Sequence, residues 1–202
     1  MSGNWSGHPT LEGARIRLEP LRISHTPGLL DAADEPEAIF SWSAAVVRNF
    51  ADAESFVHNA LADPDRQPYA VIDKGTGHIV GTTSYYLLEP AHRKLTIGHT
   101  WLSTAVQRTH VNTEAKLLLL RHAFHDLGAV RVEWHTDEHN VRSRAALLRI
   151  GARFEGLLRK HRRRRDGTWR TTALFSMTDD EWPVARAQLE KRVTRCIPPS
   201  HG

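Results

Sequence analysis

Cysteine is almost missing. Cys196, near the end of the chain, is the only one among 202 residues, which excludes an internal disulfide framework and a thiolate zinc cage. Long apolar runs are missing as well. No unbroken apolar stretch exceeds the length of Leu117–Leu120, far below the roughly 20 residues of a membrane-spanning helix. No basic start followed by an apolar stretch opens the chain, so no secretory signal is expected and a cytoplasmic location is. Apolar residues make up 40% and charged residues 25%, ordinary globular proportions that fit neither disorder nor a fibrous class. One domain is expected over residues 11–193, between loose ends at 1–10 and 194–202.

Acidic residues number 23 against 27 basic ones, a net charge of +4. The surplus is local. Residues 159–170 hold seven basic side chains against Asp166, a net +6, which leaves −2 for the rest of the chain. A basic coat made for nucleic acid would be spread more widely.

Periodicity and punctuation predict the elements. Ala14 to Leu21 reads as a strand with Ile16 and Leu18 inward, Ser24 as the cap of a short helix through Asp31, and Asp52 as the start of another through Leu61. Strands follow at Tyr69–Asp73, Ile79–Leu88 and Leu95–Leu102, the first two joined by a turn at Lys74-Gly75-Thr76-Gly77. The longest helix is predicted over Asn112–Leu127, closed by Gly128. A strand at Val130–Thr136, a helix at Val141–Ile150 closed by Gly151, and a strand at Ala152–Arg159 come next. Asp166-Gly167 marks a hairpin turn into Trp169–Met177, and Asp179 caps a last helix, Glu181–Val193. Meandering strands followed by strand–helix alternation imply an α/β chain with a mixed sheet and helices on both faces.

Two segments carry candidate chemistry. The run Trp101 to Glu114 leads a strand through a polar loop into the longest helix, where free N–H groups and the helix dipole suit an anion. An ordinary capped helix start is the competing account. The run Asp137 to Arg144 places Asn140 and Ser143 at the carboxyl end of a strand, where open sheets present ligand sites. Capping explains it equally well.

In order and spacing the two segments resemble the GNAT family of acyl-CoA-dependent N-acyltransferases, in particular its RimJ/RimL-type branch. The resemblance covers about Leu11 to Leu189 and rests on "LEGARIRLEPL", "IGHTWL" with "QRTHVNTEAKLLLLRHAF", "RVEWHTDEHNVRSRAALLRIGARFEGLLR" and "DGTWRTTALFSM". It implies a mostly antiparallel, twisted sheet of about seven strands, splayed at the cofactor site. It also implies acetyl-CoA, or another acyl-CoA, as cosubstrate. The pyrophosphate would rest on Gln107, Arg108, Thr109, His110, Val111, Asn112 and Thr113, and the pantetheine arm beside Trp101, Leu102 and Ser103. Asn140 matches the position that hydrogen-bonds the arm, and Ser143 the proton donor near the sulfur. Two departures stand out: His110 and Asn112 occupy the usual glycine positions of the phosphate loop, and Thr96 stands where many relatives carry a glutamate. His99 is then the first candidate for general base and Glu133 the second.

The resemblance implies direct attack of a primary amine on the thioester, the amine being a protein N-terminus, a lysine or a small molecule. The rival reading is a non-catalytic acyl-CoA sensor or a nucleic-acid binder using the basic run Arg159–Arg165. For that run a solvated hairpin ranks first, an acidic protein partner second and nucleic acid last. Thirteen histidines raise the question of metal, but His122 with His125 and His135 with His139 each lack a third ligand, so none is expected. Six tryptophans mostly suit a core, with Trp42 a candidate wall of the acceptor pocket. Homodimerisation is open, and no membrane partner is expected.

Overall fold

The computed structural model describes residues 3–195, so Cys196 and the end of the expected tail lie outside the described residues. In chain order the elements are β1 (Leu11–Glu12), β2 (Ile16–Pro20), α1 (Thr26–Ala32), α2 (Pro36–Ile39), α3 (Phe50–Ala62), β3 (Arg66–Asp73), β4 (Ile79–Glu89), β5 (Lys94–Leu102), α4 (His110–Arg121), β6 (Arg131–Asp137), α5 (Val141–Arg149), β7 (Arg153–Arg163), β8 (Trp169–Thr178) and α6 (Trp182–Arg195). The strands form one sheet in the order β1-β2-β3-β4-β5-β6-β8-β7. It has eight strands where about seven were expected. The extra one, Leu11–Glu12, is two residues long and too short to show an alternation.

Local signals account for most helix ends. Asn49 caps α3, accepting from the Asp52 N–H at 2.9 Å, so that helix begins two residues before the expected Asp52. Ser24 is no cap: Ile23–His25 forms a tight turn and α1 starts at Thr26, with Pro27 supplying a helical φ in its first turn. The long helix α4 gives way to a single π turn at His122–Asp126 before Gly128, whose φ is +67°.

Strand alternation divides the core in two. On the back of the sheet, Val132, Trp134, Phe175 and Met177 pack with Val111, Ala115, Leu119 of α4 and Trp182, Leu189 of α6. On the front, α1, α3 and the connecting residues Phe40 and Val47 cover Ala70, Ile72 and Trp101. These helices cover the β2–β4 half and reach the end of β5 at Trp101. Residues 3–10 have no regular structure but touch the sheet: the Trp5 carbonyl accepts from Gln67 at 2.9 Å, and the His8 ring stands edge-on to Tyr69 at 4.4 Å.

Every neighbouring pair is antiparallel except β5–β6. That parallel pair is brief, joining only Lys94–Thr96 to Arg131–Glu133. Both strands continue, β5 to Leu102 on β4 and β6 to Asp137 on β8, without pairing to each other. The sheet therefore opens into a wedge in its middle.

Candidate active site

The wedge leaves two unpaired backbone edges, 97–102 and 134–137, inside a sheet where such edges normally find partners. A bulge widens it. Thr82 pairs with Trp101 but Ser84 pairs with Gly98, so β5 carries one extra residue there, and His99 adopts a left-handed φ of +48°. Gly98 is needed at this point, since a Cβ would sit 2.6 Å from the Tyr86 ring that lies across it.

Both walls lead into helix N-termini. Beyond β5 the chain makes a tight turn at Thr104–Val106 and enters α4 with Thr109 as cap, its hydroxyl accepting from the Val111 N–H at 3.3 Å. Asp34, from the loop between α1 and α2, fixes this approach. Its carboxylate accepts from Ser103 Oγ, Thr104 Oγ1 and the Thr104 N–H at 2.8 to 3.0 Å. Those hydrogen bonds outweigh partial burial and lower its pKa to about 2. Ser103 is thus an anchor for the loop. Trp101 likewise points its ring into the front core against Phe40 and Phe56, so these two residues offer the wedge their backbone.

The phosphate-loop candidates come together at the start of α4. Gln107 bridges the wedge, donating to the Leu102 carbonyl at 3.0 Å and accepting from Arg142 of α5 at 2.8 Å. The left-handed residue is Arg108, with φ +64°, whereas neither His110 nor Asn112 has a positive φ. Their replacement of glycine therefore adds bulk without backbone strain. On the opposite wall Asn140 caps α5, its Oδ1 accepting from the Ser143 N–H at 3.0 Å, and Ser143 is half-buried in the first helical turn.

The two base candidates differ. Glu133 is held by Arg131 Nε at 2.6 Å and faces His135 Nε2 at 3.5 Å. The His135 hydrogen bond, followed by the Arg131 contact, lowers its pKa to about 2, which makes it a poor proton acceptor. His99 lies beside Tyr86, with ring centroids 4.9 Å apart. His99 is exposed, and neighbouring protein, then the charges of Arg66 and Arg162, lower its pKa, so it is neutral at pH 7. His135 stands between them, with its Nδ1 buried and unpartnered, 6.2 Å from the Tyr86 ring and 5.6 Å from that of His161.

The Acetyltransferase (GNAT) domain matches residues 15–153. The chain belongs to the GNAT acetyltransferase family. Among solved structures, a GCN5-related N-acetyltransferase from Brucella melitensis superposes with a TM-score of 0.89 at 31% identity, over 95% of this chain and 88% of that one. A candidate acetyltransferase from T. thermophilus gives 0.85 at 36% identity, over 94% and 99%. Mycobacterium smegmatis RimJ, solved in complex with CoA-disulfide, shares the fold at 23% identity with a TM-score of 0.77, over 95% and 97%. No curated protein matches the chain significantly in sequence.

Within this GNAT domain Gln107 ties the start of α4 to α5 across the wedge, His99 sits on the β5 bulge, Asn140 and Ser143 open α5, and Glu133 is the last residue of β6 paired to β5. His135 is the residue that sequence reading passed over as a site group. The Glu-x-His spacing of Glu133 and His135 puts both on one strand face, and that spacing was the available signal. The basic hairpin is also less free than a solvated arm. Arg164 holds the buried Asp137 through two hydrogen bonds of 2.7 and 3.2 Å, and Arg163 lies over the Trp169 ring at 5.1 Å. Among the described residues no three His, Cys, Asp or Glu side chains converge as a metal site requires, and no helix is long and apolar enough to cross a membrane.

Proposed function

We propose that the protein is an acyl-CoA-dependent N-acetyltransferase of the RimJ/RimL-type branch, acting on a primary amine by direct attack. The observation that carries this is the wedge: two strands that part after Thr96 and Glu133 and end at the N-termini of α4 and α5. The residues present suit acetyl-CoA. The α4 N-terminus, preceded by left-handed Arg108, turns N–H groups and the positive end of a helix dipole toward an anion. The unpaired edges of β5 and β6 supply the hydrogen-bonding strand that an extended amide-bearing arm requires, with Asn140 at the far wall.

Acetyl-CoA, when bound, supplies the activated carbonyl. The chain then has three tasks. Backbone N–H groups near the β5 bulge stabilise negative charge on a carbonyl oxygen. Neutral His99 takes a proton from the incoming amine, directly or through water. Ser143, on the α5 side, serves the departing sulfur as donor or relay. His135, oriented by Glu133, is placed to hand on protons across the same face.

Calorimetry with acetyl-CoA and CoA, followed by a thiol-release assay with an amine panel, tests the reading. Binding of both ligands but not of a thiol-free nucleotide is expected, with acetyl transfer lost or much reduced in Ser143→Ala. Absence of binding at millimolar ligand would overturn it.

A further inference from the structure

The front face beside the wedge carries three arginines, two of which bury N–H groups that meet no acceptor among the described residues. Arg66 of β3 stands across from Tyr86 of β4 in register, and Arg162 of β7 across from Arg170 of β8. Between them lie the rings of Tyr86, His99, His135 and His161, linked by centroid distances of 4.9 to 6.2 Å. Arg162 adjoins His161 and is in register with Arg170, and its charge is felt by Tyr86, His99 and His161.

The hydrogen-bond inventory is unbalanced in one direction. Arg170 buries Nε and one terminal nitrogen without any acceptor, and Arg66 buries a terminal nitrogen likewise, its Nε being used by Ser84 at 2.9 Å. The nearby carboxylates are engaged elsewhere. Glu133 is held by Arg131 and faces His135, Glu155 by Arg131 and Ser176, and Asp137 by Arg164, while Asp63 acts on Arg66 and Asp137 on Arg170 through space, without filling the buried donors. A desolvated guanidinium with unmet N–H groups calls for a planar or multidentate anion. The same charges repel a protonated amine, so a polycationic acceptor fits the face poorly.

We propose that the acceptor is a primary amine carrying an anionic group, a carboxylate above all, which Arg66, Arg162 and Arg170 hold beside the wedge while the amine reaches the bulge of β5. The proposal rests on the acyltransferase reading and names its substrate class. Two sources share this chemistry: a free amino acid, and a polypeptide with an acidic N-terminus.

The test uses the full chain with acetyl-CoA at fixed ionic strength. Acceptors are paired to isolate charge: L-glutamate against L-glutamine, and peptides beginning Ser-Glu-Glu against Ser-Gln-Gln and Ser-Lys-Lys. In at least one set the acidic member should exceed the others by about tenfold or more in kcat/KM, and the set that does so identifies the source. Arg170→Met and Arg162→Gln should each erase that preference while leaving acetyl-CoA affinity unchanged by calorimetry. Arg162 is exposed, so its variant remains informative where Arg170→Met fails to fold. Equal or better turnover of the neutral or lysine-bearing acceptors overturns the proposal, as does a preference that survives Arg162→Gln, or acetyl-CoA binding without turnover of either acidic acceptor. Failure to bind acetyl-CoA is a separate result, which removes the transferase reading and this inference with it.

Discussion

Lys116 is an unusual residue for the interior of α4. Its side chain is buried, and its Nζ reaches Thr100 Oγ1 at 2.9 Å and Thr83 Oγ1 at 3.5 Å, the two hydroxyls lying 2.8 Å apart. Burial lowers its pKa from 10.5 to about 7. Between those values the unfolded chain binds a proton that the folded chain largely refuses, so stability must rise with pH across that interval. At about pH 7 the cost relative to a fully neutral lysine is about 4 kcal/mol, and at about pH 9.5 it has fallen to about 1 kcal/mol. Lys116→Met keeps the length and removes the charge. Its stability advantage over the parent should therefore grow by about 3 kcal/mol as pH drops from about 9.5 to about 7, measured by urea unfolding with linear extrapolation. The window stops there because burial holds Tyr69 and Tyr85 above their ordinary range, and their titration in the unfolded state destabilises the fold at higher pH. A difference between parent and variant that stays flat with pH would refute the argument, whatever its absolute size.

Three further outcomes follow from the same contacts. Asn140→Ala should cost about 1 kcal/mol through loss of the α5 cap, seen as a lower melting temperature, and should also raise KM for acetyl-CoA. Restoring glycine at His110 or Asn112 should lower stability by about 0.5–1 kcal/mol per site without tightening CoA binding, because neither position has a positive φ to relieve; unfolding and calorimetry on the same variants check both halves. Glu133→Gln should leave the acid limb of the pH–rate profile in place, since a carboxylate with a pKa near 2 is not the group titrating there, while kcat falls through the loss of His135 orientation.

What the sequence disclosed is what local physics encodes. Asn140 before an apolar-periodic run, Gly128 and Gly151 after theirs, and Asp166-Gly167 between two alternating runs each sit at an element boundary in the structure. The wedge was known only through resemblance. Nothing in Ile97–Leu102 or Trp134–Asp137 says that two strands stop pairing after Thr96 and Glu133, because pairing depends on residues far apart in sequence. Asp34 is another such case: its carboxylate anchors Ser103 and Thr104 from 69 and 70 residues away.

The basic run shows why charge counts alone mislead. Read as a string, Arg159 to Arg170 is one surplus of like charge. Folded, it divides by strand alternation, by the bulge between Leu158 and Arg162 where Lys160 takes a φ of +49°, and by the turn at Asp166-Gly167. Arg164 is spent on Asp137, Arg163 on Trp169, and Arg170 turns inward beside the rings of the front face. The sheet thus converts a surface charge run into a structural ion pair on one side and unmatched donors on the other. Under the proposal above, only the second part bears on specificity. An assay that neutralises the whole run at once would confound the two, whereas Arg162→Gln and Arg164→Gln separate them: the first should alter acceptor choice, and the second should lower stability by leaving Asp137 buried without its cation.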